Sequence, residues 1–419
     1  MKISIVEIGE PLPLEENVRL LRYGNFCRYL ASKGHEVTWW TSSFSHMPKK
    51  HLVDSTQKIT INGHNFWILY GGGYTSNVSL ARIHHNRVFA RKYSVMARQE
   101  EKPDIIISPL PTIENAMASL EMAQEWKIPI LTDIRDEWPD EIVNLLPWLL
   151  RPLGRLALAG SFINMKAFCR QVDGIMAISL RQLNYGLSFA GRPQNKSDHV
   201  FPLGYPIVEV EKTQLENAQK ELQEAFNPGR FQLNVCFFGT LGRYFEFDSL
   251  AQAARQLPDV GFIVAGDGDK REALTKHLKQ LNNVYLPGWV NTPEITAISD
   301  VCDVGLAPYV GSASFAMPNK IYEYLSHGLA IGATIGGDFK NYLDDYNFGF
   351  QFGERDGESL ISHLRYLKNS PDDLLLLQKN ARELFDKKFC HTRVFEAAEE
   401  HIIRCCSEAN RSKRRQKLD

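Results

Sequence analysis

Phe315-Ala-Met-Pro-Asn-Lys-Ile-Tyr-Glu-Tyr-Leu-Ser-His-Gly-Leu-Ala-Ile-Gly-Ala333 joins a fold signal to a chemical one. It follows an apolar strand-like run, Val304-Gly-Leu-Ala-Pro308, and a loop. Pro318 stands where a helix can begin, because the N–H that proline lacks is not needed at the first helical position. Ile321, Tyr324 and Leu325 then recur at helical spacing, and Gly328 supplies the stop. Lys320 and Glu323 therefore lie one turn apart on a helix whose N-terminus faces the end of a strand. Open α/β sheets receive phosphorylated ligands at such places.

Working outward, the stretch sits in a chain of 419 residues with 44% hydrophobic content, long enough for two domains of about 200 residues each. The net charge of −1 gives no general attraction to nucleic acid, and no nucleic-acid partner is expected. The end, Arg411-Ser-Lys-Arg-Arg-Gln-Lys417, is locally basic. It reads as a solvated tail, with contact to an anionic membrane or nucleic acid as the alternative. Seven cysteines show no zinc-like spacing and lie mostly in apolar segments, as reduced thiols of a cytoplasmic protein do. Met1-Lys-Ile-Ser-Ile-Val6 reads as a strand rather than a signal peptide. No run reaches the roughly 18 apolar residues of a membrane span.

The opening reads as a βαβ unit: a strand ending at Glu7-Ile-Gly9, a helix over residues 18–33 capped by Gly34, and a strand Glu36-Val-Thr-Trp-Trp-Thr41. The insert Glu10-Pro-Leu-Pro-Leu-Glu-Glu-Asn17 is longer than such connections usually are, which suggests a binding loop. Arg19 and Arg22 behind it read equally as solvated helix charges or as a clamp for an anion. Further strands are expected at 104–108, 128–132 and 174–178, alternating with helices, which implies a mostly parallel sheet covered on both faces. Asp133-Ile-Arg-Asp-Glu-Trp-Pro-Asp140 places charges, Arg135 and Asp136 among them, at the end of one of these strands.

Residues 141–170 carry Leu145-Leu-Pro-Trp-Leu-Leu150, Leu153, Leu156, Phe162 and Ile163 together with Arg151, Arg155, Lys166 and Arg170. Apolar, tryptophan-bearing and basic composition fits a helix lying in a membrane interface; a core helix pair with solvated arginines fits as well. Prolines and a polar run mark residues 206–230 as a linker. Beyond it the rhythm resumes, with strands expected at 233–238, 260–265, 284–290, 304–307 and 330–333. Two strands end in glycine turns, Gly239-Thr-Leu-Gly-Arg243 and Gly266-Asp-Gly-Asp-Lys270, which bring backbone N–H groups toward an anion. Arg243 suits a diphosphate by forked hydrogen bonds, Lys320 as a point charge, and Glu323 a pair of sugar hydroxyls.

Phe238-Gly-Thr-Leu-Gly-Arg, Ala265-Gly-Asp-Gly-Asp-Lys-Arg-Glu, Leu286-Pro-Gly-Trp-Val, Ser299-Asp-Val-Cys-Asp-Val-Gly-Leu-Ala-Pro and Pro318-Asn-Lys-Ile-Tyr-Glu-Tyr-Leu-Ser-His-Gly follow in order and spacing. Together they resemble the donor domain of GT-B glycosyltransferases, in particular glycosyltransferase family 4 of the bacterial surface-polysaccharide type. Gly34-His-Glu-Val37 and Arg135-Asp-Glu-Trp-Pro139 extend the resemblance, more loosely, into the first half. It implies an α/β GT-B fold: two Rossmann-like domains with parallel sheets facing a central cleft. On that basis residues 1–205 would form the acceptor-side domain and 231–395 the nucleotide-sugar domain, with 396–419 a terminal helix and basic tail.

The activity implied is transfer of a sugar with retention from a nucleotide-sugar donor to a glycan or lipid-linked acceptor, in cell-surface polysaccharide biosynthesis. Neither metal nor cofactor would be required, and the protein would be cytoplasmic or peripheral on the inner face of the membrane through 141–170. By the resemblance, Arg243 and Lys320 stabilise the leaving diphosphate, and Asp136 joins them as a catalytic residue near the acceptor. Gly239, Gly242, Gly268, Trp289, Val290, Asn319 and Glu323 hold the donor, while Gly9, Arg19 and Arg135 stand on the acceptor side. Three positions depart from the family pattern. Phe315 replaces the first Glu of a paired motif, which predicts altered recognition of the transferred sugar. Arg243 stands alone where many relatives have an Arg and a Lys, and Arg135-Asp136 replaces a first-domain histidine. A non-catalytic GT-B-like subunit that binds a nucleotide or a partner is the alternative these departures raise.

Overall fold

Parallel strands that alternate with covering helices are buried on both faces, so their sequences run near-continuously apolar rather than alternating. Ile105–Leu110, Leu233–Phe238 and Val260–Ala265 are buried at every residue. The computed structural model describes residues 1–14, 18, 20–46, 48–61, 63–207, 209–311 and 317–415, with side chains through 409 in the last stretch. Arg19 and Phe315 lie outside the described residues. The chain divides into two units, residues 1–204 with 394–419, and residues 205–393.

The first unit contains β1 (Lys2–Val6), α1 (Arg22–Ser32), β2 (Glu36–Ser42), a short hairpin of β3 (Phe44–Ser45) and β4 (Lys50–His51), β5 (Gln57–Ile61), β6 (His64–Leu69) and α2 (Leu80–Ala97). It continues with β7 (Ile105–Leu110), α3 (Ile113–Trp126), β8 (Ile130–Ile134), α4 (Asp140–Asn144), a 3₁₀ turn (Trp148–Leu150), α5 (Arg151–Ala157), α6 (Ala159–Gln171), β9 (Gly174–Ala177), α7 (Leu180–Ala190) and β10 (His199–Val200). The main sheet runs β10-β9-β8-β7-β1-β2-β6-β5. Only its edge pair, β5 with β6, is antiparallel among the described strands.

The second unit contains α8 (Lys212–Ala225), a 3₁₀ turn (Pro228–Arg230), β11 (Leu233–Phe238), α9 (Asp248–Gln256), β12 (Val260–Ala265), α10 (Arg271–Leu278), β13 (Val284–Gly288), α11 (Thr292–Val301) and β14 (Val304–Ala307). After these come α12 (Asn319–Ser326), β15 (Ala330–Ala333), α13 (Asp338–Tyr346), β16 (Gly349–Gln351), α14 (Gly357–Asn369), α15 (Pro371–Leu384) and a π turn (Phe385–Phe389). Its sheet, β13-β12-β11-β14-β15-β16, is wholly parallel. The last helix, α16 (His391–Arg415), begins in the second unit and packs on the first, where Tyr29 donates to Glu399 at 2.9 Å.

Several local readings change. The first helix starts at Arg22 rather than at residue 18, because its first N–H groups are taken by a distant carboxylate described below. Pro318 is the residue before α12, with extended φ and ψ of −74° and 153°, and not the first helical residue. Residues 206–230, polar enough to resemble a linker, contain α8, whose buried Ala218 and Leu222 belong to the second unit. Residues 396–419 do not stand apart, since α16 is continuous from His391 and all but its first turn belongs to the first unit. Residues 141–170 are divided among four helical pieces, α4, the 3₁₀ turn, α5 and α6, in place of one or two long helices.

Candidate functional site

Each sheet reverses direction of growth about its first strand. In the second unit the order places β12 and β13 on one side of β11, and β14 to β16 on the other. Ligands of doubly wound sheets bind outside the carboxyl ends of the strands at such a reversal. The Gly239 turn leaves β11 there. Its neighbour, the Gly266 turn, leaves β12, and the two are knitted together: Leu241 N donates to Asp267 O at 2.9 Å and Lys270 N to Leu241 O at 2.9 Å. Gly268, at φ +153°, would put a Cβ 2.6 Å from the Leu241 carbonyl, and a Cβ on Gly266 would strike the Gly239 carbonyl. These glycines permit two backbones to touch.

The N–H groups themselves are mostly taken inside the turns. Gly239 N bonds Ala265 O at 3.1 Å, Gly242 N bonds Thr240 O at 2.9 Å and Gly268 N bonds Asp267 Oδ1 at 2.8 Å. Favourable charge for an anion must then come from side chains. Lys320 is buried, its ammonium donating to the Phe238 carbonyl and lying 4.0 Å from the centre of the Phe237 ring. A Cβ on Gly239 would come 2.6 Å from its Nζ, so glycine there leaves room for the lysine. Burial pulls the Lys320 pKa down to about 8, with Glu323 opposing.

Glu323, one turn along α12, is half-buried and accepts the Tyr205 hydroxyl at 2.8 Å. That contact spans 118 residues of sequence. Arg243 is exposed in the Gly239 turn, Nη2 donating to Tyr244 Oη at 2.8 Å and the guanidinium 4.9 Å over that ring. Asn319 is exposed at the start of α12, which no side chain caps. Trp289 is 73% exposed just beyond β13, while Val290 is buried ahead of the Asn291–Glu294 capping box of α11. The second unit thus brings Gly239, Arg243, Lys320 and Glu323 to the β11 end of its sheet.

In the first unit the reversal lies between β1 and β7. The turn after β1 carries Glu7, Gly9 and Glu10, and the end of β8 carries Asp133, Arg135 and Asp136. Arg135 donates from Nη2 to Glu7 Oε1 at 2.6 Å and from Nη1 to Glu10 Oε1 at 2.7 Å. Glu10 Oε2 in turn accepts the first N–H groups of α1, from Tyr23 at 2.9 Å and Gly24 at 3.2 Å. A carboxylate suits a helix N-terminus, and this one sets where α1 begins. Arg22 is neither a solvated charge nor a clamp: it is buried, with Nε on Asp133 Oδ2 at 2.9 Å and Nη2 on Phe201 O at 3.1 Å.

Burial pushes the Glu7 carboxyl up to about 8, more than Arg135 can offset. Burial works against the Arg135 charge, but Glu7 and Glu10 outweigh it and hold the pKa above the ordinary arginine value. Gly9, His46, Tyr74, Arg82, Arg135 and Asp136 line a cavity of about 200 Å³ beside this network. Asp136 is open to solvent by area, yet the surrounding walls desolvate its carboxyl enough to raise its pKa against Arg135 and Arg82. His46 bonds the Tyr74 hydroxyl at 2.6 Å, and burial, with Lys49 and Arg82 adding repulsion, lowers its pKa. Among the described residues no group of three His, Cys, Asp or Glu is placed to hold a metal.

Sequence reading passed over Tyr205, Glu10 as a cap, and Arg82 and His46 as cavity walls. Arg82 lies on α2, whose polar and apolar residues do not separate into faces. The signal available is the serine before that helix, since Ser79 Oγ accepts Arg82 N at 3.2 Å. Tyr205 carries no local signal.

Residues 232–370 match the family model described as Glycosyl transferases group 1. Sucrose-phosphate synthase from Thermosynechococcus elongatus is similar in structure, with a TM-score of 0.67 at 13% identity over 97% of this chain and 100% of that one. Anabaena HepE in complex with UDP-glucose gives 0.61 at 14% over 96% and 99%. A structure described as E. coli trehalose-6-phosphate bound with UDP-2-fluoro glucose gives 0.66 at 11% over 96% and 99%. No curated protein compared matches. With two Rossmann-like units, the second of which carries the match to Glycosyl transferases group 1, the chain has the GT-B fold of these structures.

Proposed function

We propose that the protein transfers a sugar from a nucleotide-sugar to a glycan or lipid-linked acceptor with retention, at the inner face of a membrane, in cell-surface polysaccharide biosynthesis. One observation carries the reading: Lys320 lies buried beneath the glycine turn that ends β11 and carries Arg243, at the sheet reversal. A buried cation at that place matches the negative charge of a leaving diphosphate. The uridine ligands of HepE and of the E. coli structure support UDP as the carrier. In the reaction the anomeric carbon–phosphate oxygen bond breaks and a bond to the acceptor oxygen forms on the same face. The acceptor's proton passes to the departing phosphate oxygen, so no protein nucleophile is required. Arg243 and Lys320 stabilise the developing charge without a metal, and Glu323, steadied by Tyr205, takes the ribose hydroxyls.

UDP release from a panel of UDP-sugars, with a lipid-diphosphate acceptor present, tests this. Arg243→Ala, at an exposed position, should keep the melting temperature and reduce release by about 100-fold, in the range for loss of one charged donor at a transition state. Unchanged release in that variant removes Arg243 from the site. UDP binding without release from any sugar supports the second reading, a nucleotide-binding subunit, which Arg135-Asp136 in place of a first-domain histidine favours, Arg135 being already held by Glu7 and Glu10.

A further inference from the structure

A second cavity, about 360 Å³, lies in the first unit beside the polar one. Leu80, Ile83, Leu110, Ile142, Leu158 and Met165 are among its walls, and its size falls in the range of small-molecule sites. The two cavities share Arg82, Asn86, Pro111 and Thr112. Arg82 at this junction is half-buried, its guanidinium 5.0 Å over the Trp138 ring and 5.7 Å over Tyr74, with Nη1 on Asn77 O at 2.9 Å. Among the described residues no carboxylate forms an ion pair with it. Glu114, the acid on the apolar wall, is held by Asn86 at 3.2 Å.

Apolar residues on the elements that bound this cavity are exposed. Leu80 is 84% exposed at the start of α2, and Ala157 and Leu158 bring the end of α5 to the same cavity. Along the adjoining turn and α5, Trp148, Leu149, Leu153 and Leu156 are 73%, 67%, 63% and 73% exposed. Arg151 is exposed among them, and Lys166 and Arg170 are exposed along α6, so this segment carries positive charge that an anionic lipid surface complements. Apolar patches of this kind seldom stay bare on a soluble monomer.

We propose that this cavity is a chain subsite: it takes the apolar tail of a lipid phosphate drawn from an anionic bilayer, and Arg82 takes the phosphate head. The inference deepens the proposed function, resting on the first unit as the acceptor side. It makes the acceptor an amphiphile whose head group enters the polar cavity of Gly9, Arg135 and Asp136.

Calorimetry of the full chain, without nucleotide-sugar, tests it with dodecyl phosphate below its micelle concentration, dodecanol and inorganic phosphate. Wild type should bind dodecyl phosphate at least about tenfold more tightly than dodecanol, the effect of one charge-assisted hydrogen bond, and should not bind inorganic phosphate. Arg82→Ala should bring dodecyl phosphate down to the dodecanol affinity, and Arg82→Lys should restore part of the difference. Ser161→Phe, which fills the cavity, should weaken both chain-bearing probes, with Ser161→Leu as the milder variant and circular-dichroism melts as the check on folding. Equal affinity of wild type for dodecyl phosphate and dodecanol overturns the proposal, as does inorganic phosphate binding as tightly as dodecyl phosphate. Undiminished binding in both Ser161 variants overturns it as well. This titration measures no transfer, so chain binding here together with absent UDP release in the separate UDP-sugar assay removes the transferase reading and leaves this one standing.

Discussion

Lys320→Met should exchange anion binding for stability. The buried ammonium has the Phe238 carbonyl as its acceptor and aromatic rings as its other neighbours. A fall in pKa from 10.5 to about 8 corresponds to ~3 kcal/mol of folding stability lost while the lysine is charged, at 1.36 kcal/mol per pKa unit. The unfolded chain holds this proton up to about pH 10.5 and the folded protein releases it near 8, so between these values the unfolded state binds more protons and stability rises with pH. In urea unfolding the methionine variant should be more stable than wild type at pH 7 by ~1–3 kcal/mol, since methionine fills similar volume without charge. That difference should narrow as pH rises past 8. Binding of UDP should behave oppositely. Wild type needs the charged lysine, so its affinity should fall above pH 8, by at most about tenfold per pH unit. The variant should bind about 10- to 100-fold more weakly at pH 7 and without that dependence. Calorimetric titration of UDP into both proteins from pH 7 to 9.5 decides the matter. A flat wild-type profile, with the variant binding as tightly, would refute a role for Lys320 beneath the diphosphate.

Three further outcomes are expected. Arg135→Gln leaves Glu7 and Glu10 buried without their guanidinium and should cost about 3–5 kcal/mol in urea unfolding, with Glu7→Gln in the same chain recovering part of it. Because the Glu7 pKa is raised from 4.5 to about 8, the folded state binds the extra proton and wild-type stability should decline as pH rises across that window; a Glu7→Gln variant with an identical pH profile would contradict this. Trp148→Ser with Leu149→Ser and Leu150→Ser alters only exposed side chains, so melting should change little. Flotation with anionic vesicles should nevertheless weaken at least about 100-fold, given ~1.5–3 kcal/mol per large apolar side chain, and equal flotation of the two proteins would count against membrane contact.

Much of the fold is local in origin and was legible. Leu233–Phe238, Val260–Ala265 and Val304–Ala307 announce themselves as buried parallel strands because they run almost continuously apolar, Asn234 being the one polar residue in them. The alternation with helices then implies two Rossmann-like units. Strands such as His64–Leu69, which mix polar and apolar residues, and Leu80–Ala97, whose apolar residues scatter around the helix, carry no such period and escaped notice.

Sequence by itself determined that Lys320 and Glu323 share one short helix and that glycine turns follow two adjacent strands, since both are matters of spacing along one segment. Only the tertiary structure decided what those groups do. It puts the lysine beneath Gly239 with its pKa near 8, spends the turn N–H groups on each other, and brings Tyr205 across 118 residues to Glu323. It also turns Arg22 inward to Asp133 and sets Arg82 between an apolar cavity and a polar one. Burial, desolvation and long-range partners depend on which distant segments meet, and no local pattern of residue types encodes that meeting.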